Sequence, residues 1–177
     1  MSSQFPKMSL FDEQVVKSMG LPKHSINMEQ IGRIMILVDG KKTIQSFVEA
    51  GIMVSQEDLL SELFHTTTEH EKIVREVAIF GLCSETAKTE DILSFIDAHG
   101  YKPASILELL AIATDKNVTL PDSFNSLVAL SNGSPVDKEW KVFMVSSLFR
   151  RHGATMLHIN YTDETWKKST LFAAIRK

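Results

Sequence analysis

The residues of this chain able to do chemistry are scattered, and each has a structural reading beside its chemical one. His65 and His70 bracket the segment HTTTEHE, with Glu69 and Glu71 adjacent. Imidazole and carboxylate are zinc ligands, but a helical zinc site wants histidines four apart, as in H-E-x-x-H. Here the separation is five, and Thr66–Thr68 break the helix between them. The segment therefore reads as two exposed histidines around a helix start, with a loop-borne metal site as the weaker alternative. His158 lies in an alternating stretch, on the face of Met156 and Asn160, with Tyr161 and Asp163 close in sequence. That grouping allows an acid–base pair, but it reads first as a half-buried, hydrogen-bonded sheet histidine. Cys83 follows an apolar segment expected to be a helix. A thiolate at a helix C-terminus is not stabilised, so the thiol reads as buried and inert.

The sharpest binding candidate is Arg150-Arg151-His152 beside Gly153, two guanidiniums at an expected hairpin tip. Lys167 and Lys168 lie in the next connection, Arg176 and Lys177 end the chain, and Tyr161 and Trp166 are near in sequence. Such a cluster grips phosphate or an acidic protein. The favoured reading is nonetheless a soluble turn whose charges deter edge pairing, because exposed charge at loop tips is ordinary. If strand order follows sequence, the two lysines sit at the far ends of their strands from the arginines, and the C-terminal pair approaches the hairpin. The chain has no G-x-S-x-G, no G-x-x-x-x-G-K-[ST] and no G-x-G-x-x-G, so no cofactor is implied. Trp140 and Trp166 read as core aromatics.

The elements that must position these residues fall into two halves. Residues 1–98 carry helix punctuation. Ser9 and Asp12 precede FDEQVVKSM, which Gly20 and Pro22 stop. Asn27 is placed to cap MEQIGRIMILVD, whose Met28, Ile31, Ile34, Met35 and Val38 share a helical face. Thr43 caps TIQSFVEA up to Gly51, Ser55 starts QEDLLSELF, and Thr89 starts EDILSFIDAH up to Gly100. Thr68 and Glu71 form a box before Ile73–Leu82; its β-branched residues permit a strand, but the box favours a helix. SFVEAG at Ser46–Gly51 and SFIDAHG at Ser94–Gly100 suggest a helical hairpin used twice.

Residues 99–177 form the second half. Ser105 and Glu108 make the best-defined capping box, opening ILELLAIATDK. After Asn117 the period shifts from 3.6 to 2. Strands are expected at Leu127–Leu130, Trp140–Leu148, Met156–Tyr161 and Thr170–Ile175, with turns at Asn132–Pro135 and Arg150–Gly153 and a turn or helical piece at Asp163–Lys168. The expected fold is α+β: a helical N-terminal region, then a small antiparallel sheet packed by helices.

The ordered pattern HGYKPASILELLA, LVALS, a Trp with an apolar strand, FRRHGA, LHINY, TW and LFAAIRK resembles a domain in many uncharacterised bacterial proteins. The resemblance covers roughly residues 89–177, and SFVEAGIMVS is similar to a segment upstream in some members. Members usually have Gly after VAL, where this chain has Ser131. The family carries no activity to transfer, so the resemblance implies architecture alone.

The bulk composition excludes more than it names. At 177 residues and 44% hydrophobic, the chain buries a core without staples, and its single cysteine forbids an intrachain disulfide. No secretory signal or bilayer-length apolar run is visible, so a soluble, cytoplasmic protein without a membrane role is expected. Residues 1–98 carry −6 and residues 99–177 carry +3. The second value is too small to predict a nucleic-acid surface strongly. The expected function is a non-catalytic protein-interaction module whose partner is another protein. A small hydrolase or metal enzyme using His158 or His65 and His70 is one alternative. Nucleic-acid binding through Arg150, Arg151 and Lys167 is another.

Overall fold

The computed structural model describes residues 26–55, 71–118, 126–130, 135–137, 142–151, 154–162 and 165–177. Among these, eleven strands and three helices are formed. In chain order they are β1 (Met28–Asp39), α1 (Ile44–Glu49), β2 (Met53–Val54), β3 (Lys72–Leu82), β4 (Thr86–Lys88), α2 (Thr89–Ala98) and β5 (Tyr101–Pro103). There follow α3 (Ile106–Thr114), β6 (Ser126–Ala129), β7 (Pro135–Asp137), β8 (Val142–Arg151), β9 (Ala154–Thr162), β10 (Thr165–Lys167) and β11 (Thr170–Arg176).

This overturns the expected fold class. The described residues are mostly β, and their sheet is large and mixed rather than small and antiparallel. Nine strands share one sheet in the order β1-β3-β11-β6-β8-β9-β2, with β5 paired to β11 and β7 to β8. The β11–β6 and β2–β9 pairs are parallel, and the other pairs are antiparallel. Strands from both sides of residue 98 therefore lie side by side, with β3 against β11.

The two longest departures have one cause. MEQIGRIMILVD is strand β1, not an Asn27-capped helix, and Ile73–Leu82 belongs to strand β3, not to a helix. The two run antiparallel from Met28↔Leu82 to Asp39↔Lys72, with a bulge between Gln30 and Gly32. Asn27 extends this ladder, its carbonyl accepting the Cys83 N–H at 2.8 Å. β-Branched side chains fit a pleated surface covered on one face, and the gain of a long ladder overrides a helix-compatible pattern.

Alternation along the central strands divides the core in two. Ile36, Val38, Val77, Ile79, Leu127, Leu148, Leu157, Ala173 and Ile175 face α3 and α1. Ala78, Phe80, Leu82, Val128, Val145, Phe172 and Ala174 face Ile92 and Ile96 of α2. The sheet thus lies between two helical layers.

The helices keep the ends expected of them. Thr43 accepts the Ser46 N–H at 3.3 Å at the start of α1. At its end, Gly51 N–H donates to Val48 O at 2.9 Å and Ile52 N–H to Phe47 O at 3.1 Å, while Phe47 and Ile52 are both buried. That Schellman ending needs the φ of +91° at Gly51. α2 also ends before a left-handed glycine, Gly100 at +79°. The repeat resemblance thus corresponds to two helices, each followed by such a glycine and a short strand, β2 or β5. The SQEDLL box of the first unit lies outside the described residues except for Ser55, as do the Ser9 helix and Trp140.

α3 is fixed through Glu108, a carboxylate only 2% exposed. Its Oε2 accepts the Ser105 N–H at 2.6 Å and the Ser105 hydroxyl, while Ser105 Oγ accepts the Leu107 N–H at 3.2 Å. Its Oε1 lies 3.2 Å from Nε of Arg75 on β3. Removing one member of a buried pair leaves the other charge uncompensated. Glu108→Ala is expected to lose about 3–5 kcal/mol in urea unfolding. Ser105→Ala should lose only about 1 kcal/mol. The Arg75→Ala/Glu108→Ala double variant should lose less than the sum of the singles; strict additivity would show that the two do not interact.

Candidate protein-interaction surface

The basic candidates do not sit as strand order by sequence would have them. Arg150 and Arg151 are the last rungs of the β8–β9 ladder, opposite Thr155 and Ala154, rather than turn residues; His152 lies outside the described residues. Thr170, Ser126 and Phe149 stand in one row across β11, β6 and β8. Lys167 and Lys168, just before Thr170, therefore lie toward the Arg150–Arg151 end of the sheet, and Arg176 toward the opposite end, paired to Tyr101. Both lysines are exposed, and Lys168 Nζ stands 3.8 Å from Glu85 Oε1. Tyr161 pairs with Met144, six residues along β9 from the Arg150 rung, which at about 3.4 Å per residue is some 20 Å away.

Trp166 is a packing residue. The expected turn or helical piece is strand β10, paired to β4 with Trp166 opposite Ala87. Its indole packs edge-on to Phe172 at 5.6 Å, and Nε1–H donates to Thr89 Oγ1 at 2.9 Å. This attaches the small β4–β10 ribbon to the start of α2.

His158 faces β2. β2 pairs with β9 through Met53↔Met156 and Val54↔Leu157, and the next residue, Ser55, donates its N–H to Leu157 O at 3.0 Å. That places the Ser55 hydroxyl against His158 Nδ1 in a short hydrogen bond. Phe149 packs edge-on to the same imidazole at 6.1 Å. In the sequence Ser55 carries only the signal of a helix start. His65 and His70 lie outside the described residues, among which no group of three or more His, Cys, Asp or Glu could hold a metal. No helix among them is long and apolar enough to cross a membrane.

The surface that sequence reasoning missed is on β1 and β3. Beyond Ile175↔Val77, the ladder of β3 with β11 stops, and residues 72–76 continue as a two-stranded ribbon with β1. Arg75 on its inner face is held by α3. On the outer face α2 covers Ala78 and Phe80 but not the ribbon's end. Met35, Leu37 and Val74 are left 61%, 54% and 61% exposed. Leu37 and Val74 are directly opposite, and Met35 is opposite Glu76. Ion pairs close the patch at each end: Asp39 with Lys72 at 3.5 Å, and Arg33 with Glu76 at 4.0 Å. Among the described residues no strand pairs with the outer edge of β1. An apolar centre inside a polar rim is the anatomy of a binding surface. The readable signal is the alternation of β-branched Ile34, Ile36 and Val38 with Met35 and Leu37.

Cys83 is half-buried just after β3, not at a helix end. Burial first, and the Glu29 carboxylate second, push its thiol pKa above the ordinary value, against a smaller opposite pull from Lys168. A raised pKa leaves less thiolate at a given pH, so alkylation by iodoacetamide near neutral pH should be slower than for a free cysteine and accelerate as pH rises. Glu29→Gln should speed it. A thiol that alkylates faster than free cysteine would contradict this.

No protein family, no curated protein and no solved structure matches this chain.

Proposed function

We propose that this protein is a non-catalytic protein-binding module whose contact surface is the β1–β3 ribbon. One observation carries the reading: Met35, Leu37 and Val74 form a polar-rimmed apolar patch along a long, unpaired sheet edge among the described residues. Such an edge offers main-chain donors and acceptors for a further strand, and side chains on alternate positions for specificity. The helical hairpins expected from sequence have no part in it, since α1 and α2 lie outside the β1–β3 ribbon. A photoreactive residue in place of Leu37 should give one dominant protein adduct in native cells, lost in the Val74→Lys background. The same residue in place of exposed Glu90 on α2 should give none. Equal labelling from both positions, or none from position 37, would sink the reading.

A second reading, a small hydrolase, is favoured by the Ser55–His158 hydrogen bond. There His158 would take the hydroxyl proton as Ser55 attacks an acyl group. Hydrolysis of a p-nitrophenyl ester should then fall at least about a hundredfold in both Ser55→Ala and His158→Ala. A rate unchanged in either variant removes it.

A further inference from the structure

We infer that the partner seated on the β1 edge is a second copy of this chain, joined strand to strand about a two-fold axis at Ile36. The inference rests on the protein-binding reading and deepens it by naming the occupant. The edge segment from Gly32 to Gly40 reads G-R-I-M-I-L-V-D-G. Turned end for end about Ile36, it meets itself with matching chemistry at every position. Arg33 falls opposite Asp39, Ile34 opposite Val38, Met35 opposite Leu37, and Ile36 opposite itself.

Strand geometry permits this register. Along an edge strand, alternate residues point N–H and C=O outward, so two identical antiparallel edges bond only where opposed residue numbers have the same parity. Opposed numbers here sum to 72, which satisfies that condition whichever set points outward. Opposed residues also share a face. Arg33, Met35, Leu37 and Asp39 all lie on the α2 side, while Ile36 and Val38 lie on the α3 side.

Neighbouring registers fail on charge. A sum of 70 sets Arg33 against Leu37 and Asp39 against Ile31. A sum of 74 sets Arg33 against Lys41 and Met35 against Asp39. Only a sum of 72 forms two Arg33–Asp39 pairs and keeps every apolar residue opposite an apolar one. The ends of the ladder are also defined: the Gln30/Gly32 bulge bounds one side, and the Gly40–Lys41 turn, closed by Lys42 N–H on Asp39 O at 3.1 Å, bounds the other. Arg33, its side chain 54% exposed, is held only by Glu76 at 4.0 Å, while Asp39, 17% exposed, pairs with Lys72 at 3.5 Å and accepts the Lys41 N–H at 3.1 Å, so bridging across the axis exchanges these exposed lysine and arginine contacts for the partner's. Seven rungs bury less than a standard interface, so the dimer is concentration-dependent.

The test is sedimentation equilibrium on the full chain over a wide concentration range. Wild type should show a reversible monomer–dimer equilibrium. Arg33→Asp brings two carboxylates face to face across the axis, and Asp39→Arg brings two guanidiniums face to face; each should raise the dimer Kd at least about tenfold. The Arg33→Asp/Asp39→Arg double variant re-forms the pairs with charges exchanged and should return to within about threefold of wild type. If a charge variant misfolds by circular dichroism, Leu37→Lys, at an exposed position, replaces it and should abolish the dimer. A wild type that stays monomeric, a dimer indifferent to these variants, or a double variant no better than the singles overturns the inference. A monomer that still cross-links another protein through position 37 overturns the second copy and keeps the protein-binding reading. A monomer with no adduct there overturns both.

Discussion

The buried carboxylate of Glu108 is the constraint on which the rest of the structure depends. ILELLAIAT is apolar nearly all round, and such a helix has no intrinsic preference for phase or direction on a sheet. Glu108 supplies both. One oxygen closes the helix start through Ser105, and the other meets Arg75 on β3. Both demands are met in only one placement, with the N-terminus of α3 over Arg75 and its remaining residues over Ile36, Val38, Val77 and Ile79. Arg75 lies in the part of β3 that β11 does not reach. The same pair therefore orders the sheet's core and holds the ribbon projecting from it.

That placement makes the two faces of the ribbon unequal. On the inner face α3 buries Ile36 and Val38, leaving only Ile73 at the tip 42% exposed. The outer face depends on α2, whose Ile92 and Ile96 reach Ala78 and Phe80 but not Val74. Among the described residues the two edges of the sheet are unequal too. β2 is a two-residue strand, among the shortest ways of ending a sheet. β1 is twelve residues long, bulged near its start and then regular for its remaining length. Natural edges are blunted by brevity, bulges or inward charge. The regular part of β1 carries charge only at its two ends.

The legible and illegible parts of the chain divide by the range of the forces involved. Helix ends are local: Thr43, the Ser105–Glu108 box, Gly51 and Gly100 act within a turn, and each stands where its local pattern places it. Strands β6, β8, β9 and β11 are legible as short apolar or alternating runs after the last helix, set off by turn residues. β1 is not, because Ile34–Val38 is continuously apolar and satisfies both periods. Its state is decided by a partner more than thirty residues away, through Ile36↔Arg75 and Val38↔Ile73. β3 is masked by a box whose Thr68 lies outside the described residues. The Arg150–Lys167 relation is misplaced for a topological reason: β11 inserts between β3 and β6, and sequence order gives no sign of it. Ser55 meets His158 across 103 residues, a distance no local pattern spans.

Reading β1 as a helix also conceals its symmetry. On a helix, Arg33 and Asp39 are six residues apart, or about 240° around the axis, and Met35 and Leu37 diverge by about 200°. Nothing then relates the two ends of RIMILVD. On a strand the same four residues have equal parity and lie in one row on one face, as their pairing with Ala78, Glu76, Val74 and Lys72 places them. End-for-end complementarity has physical meaning only for an extended segment that another strand can approach sideways. It requires Asp39 and Arg33 to be equidistant from a residue rather than from a peptide bond, and Ile36 is that residue. The charges that close the patch within one chain are thus placed to meet their opposites in another, without any side chain changing face.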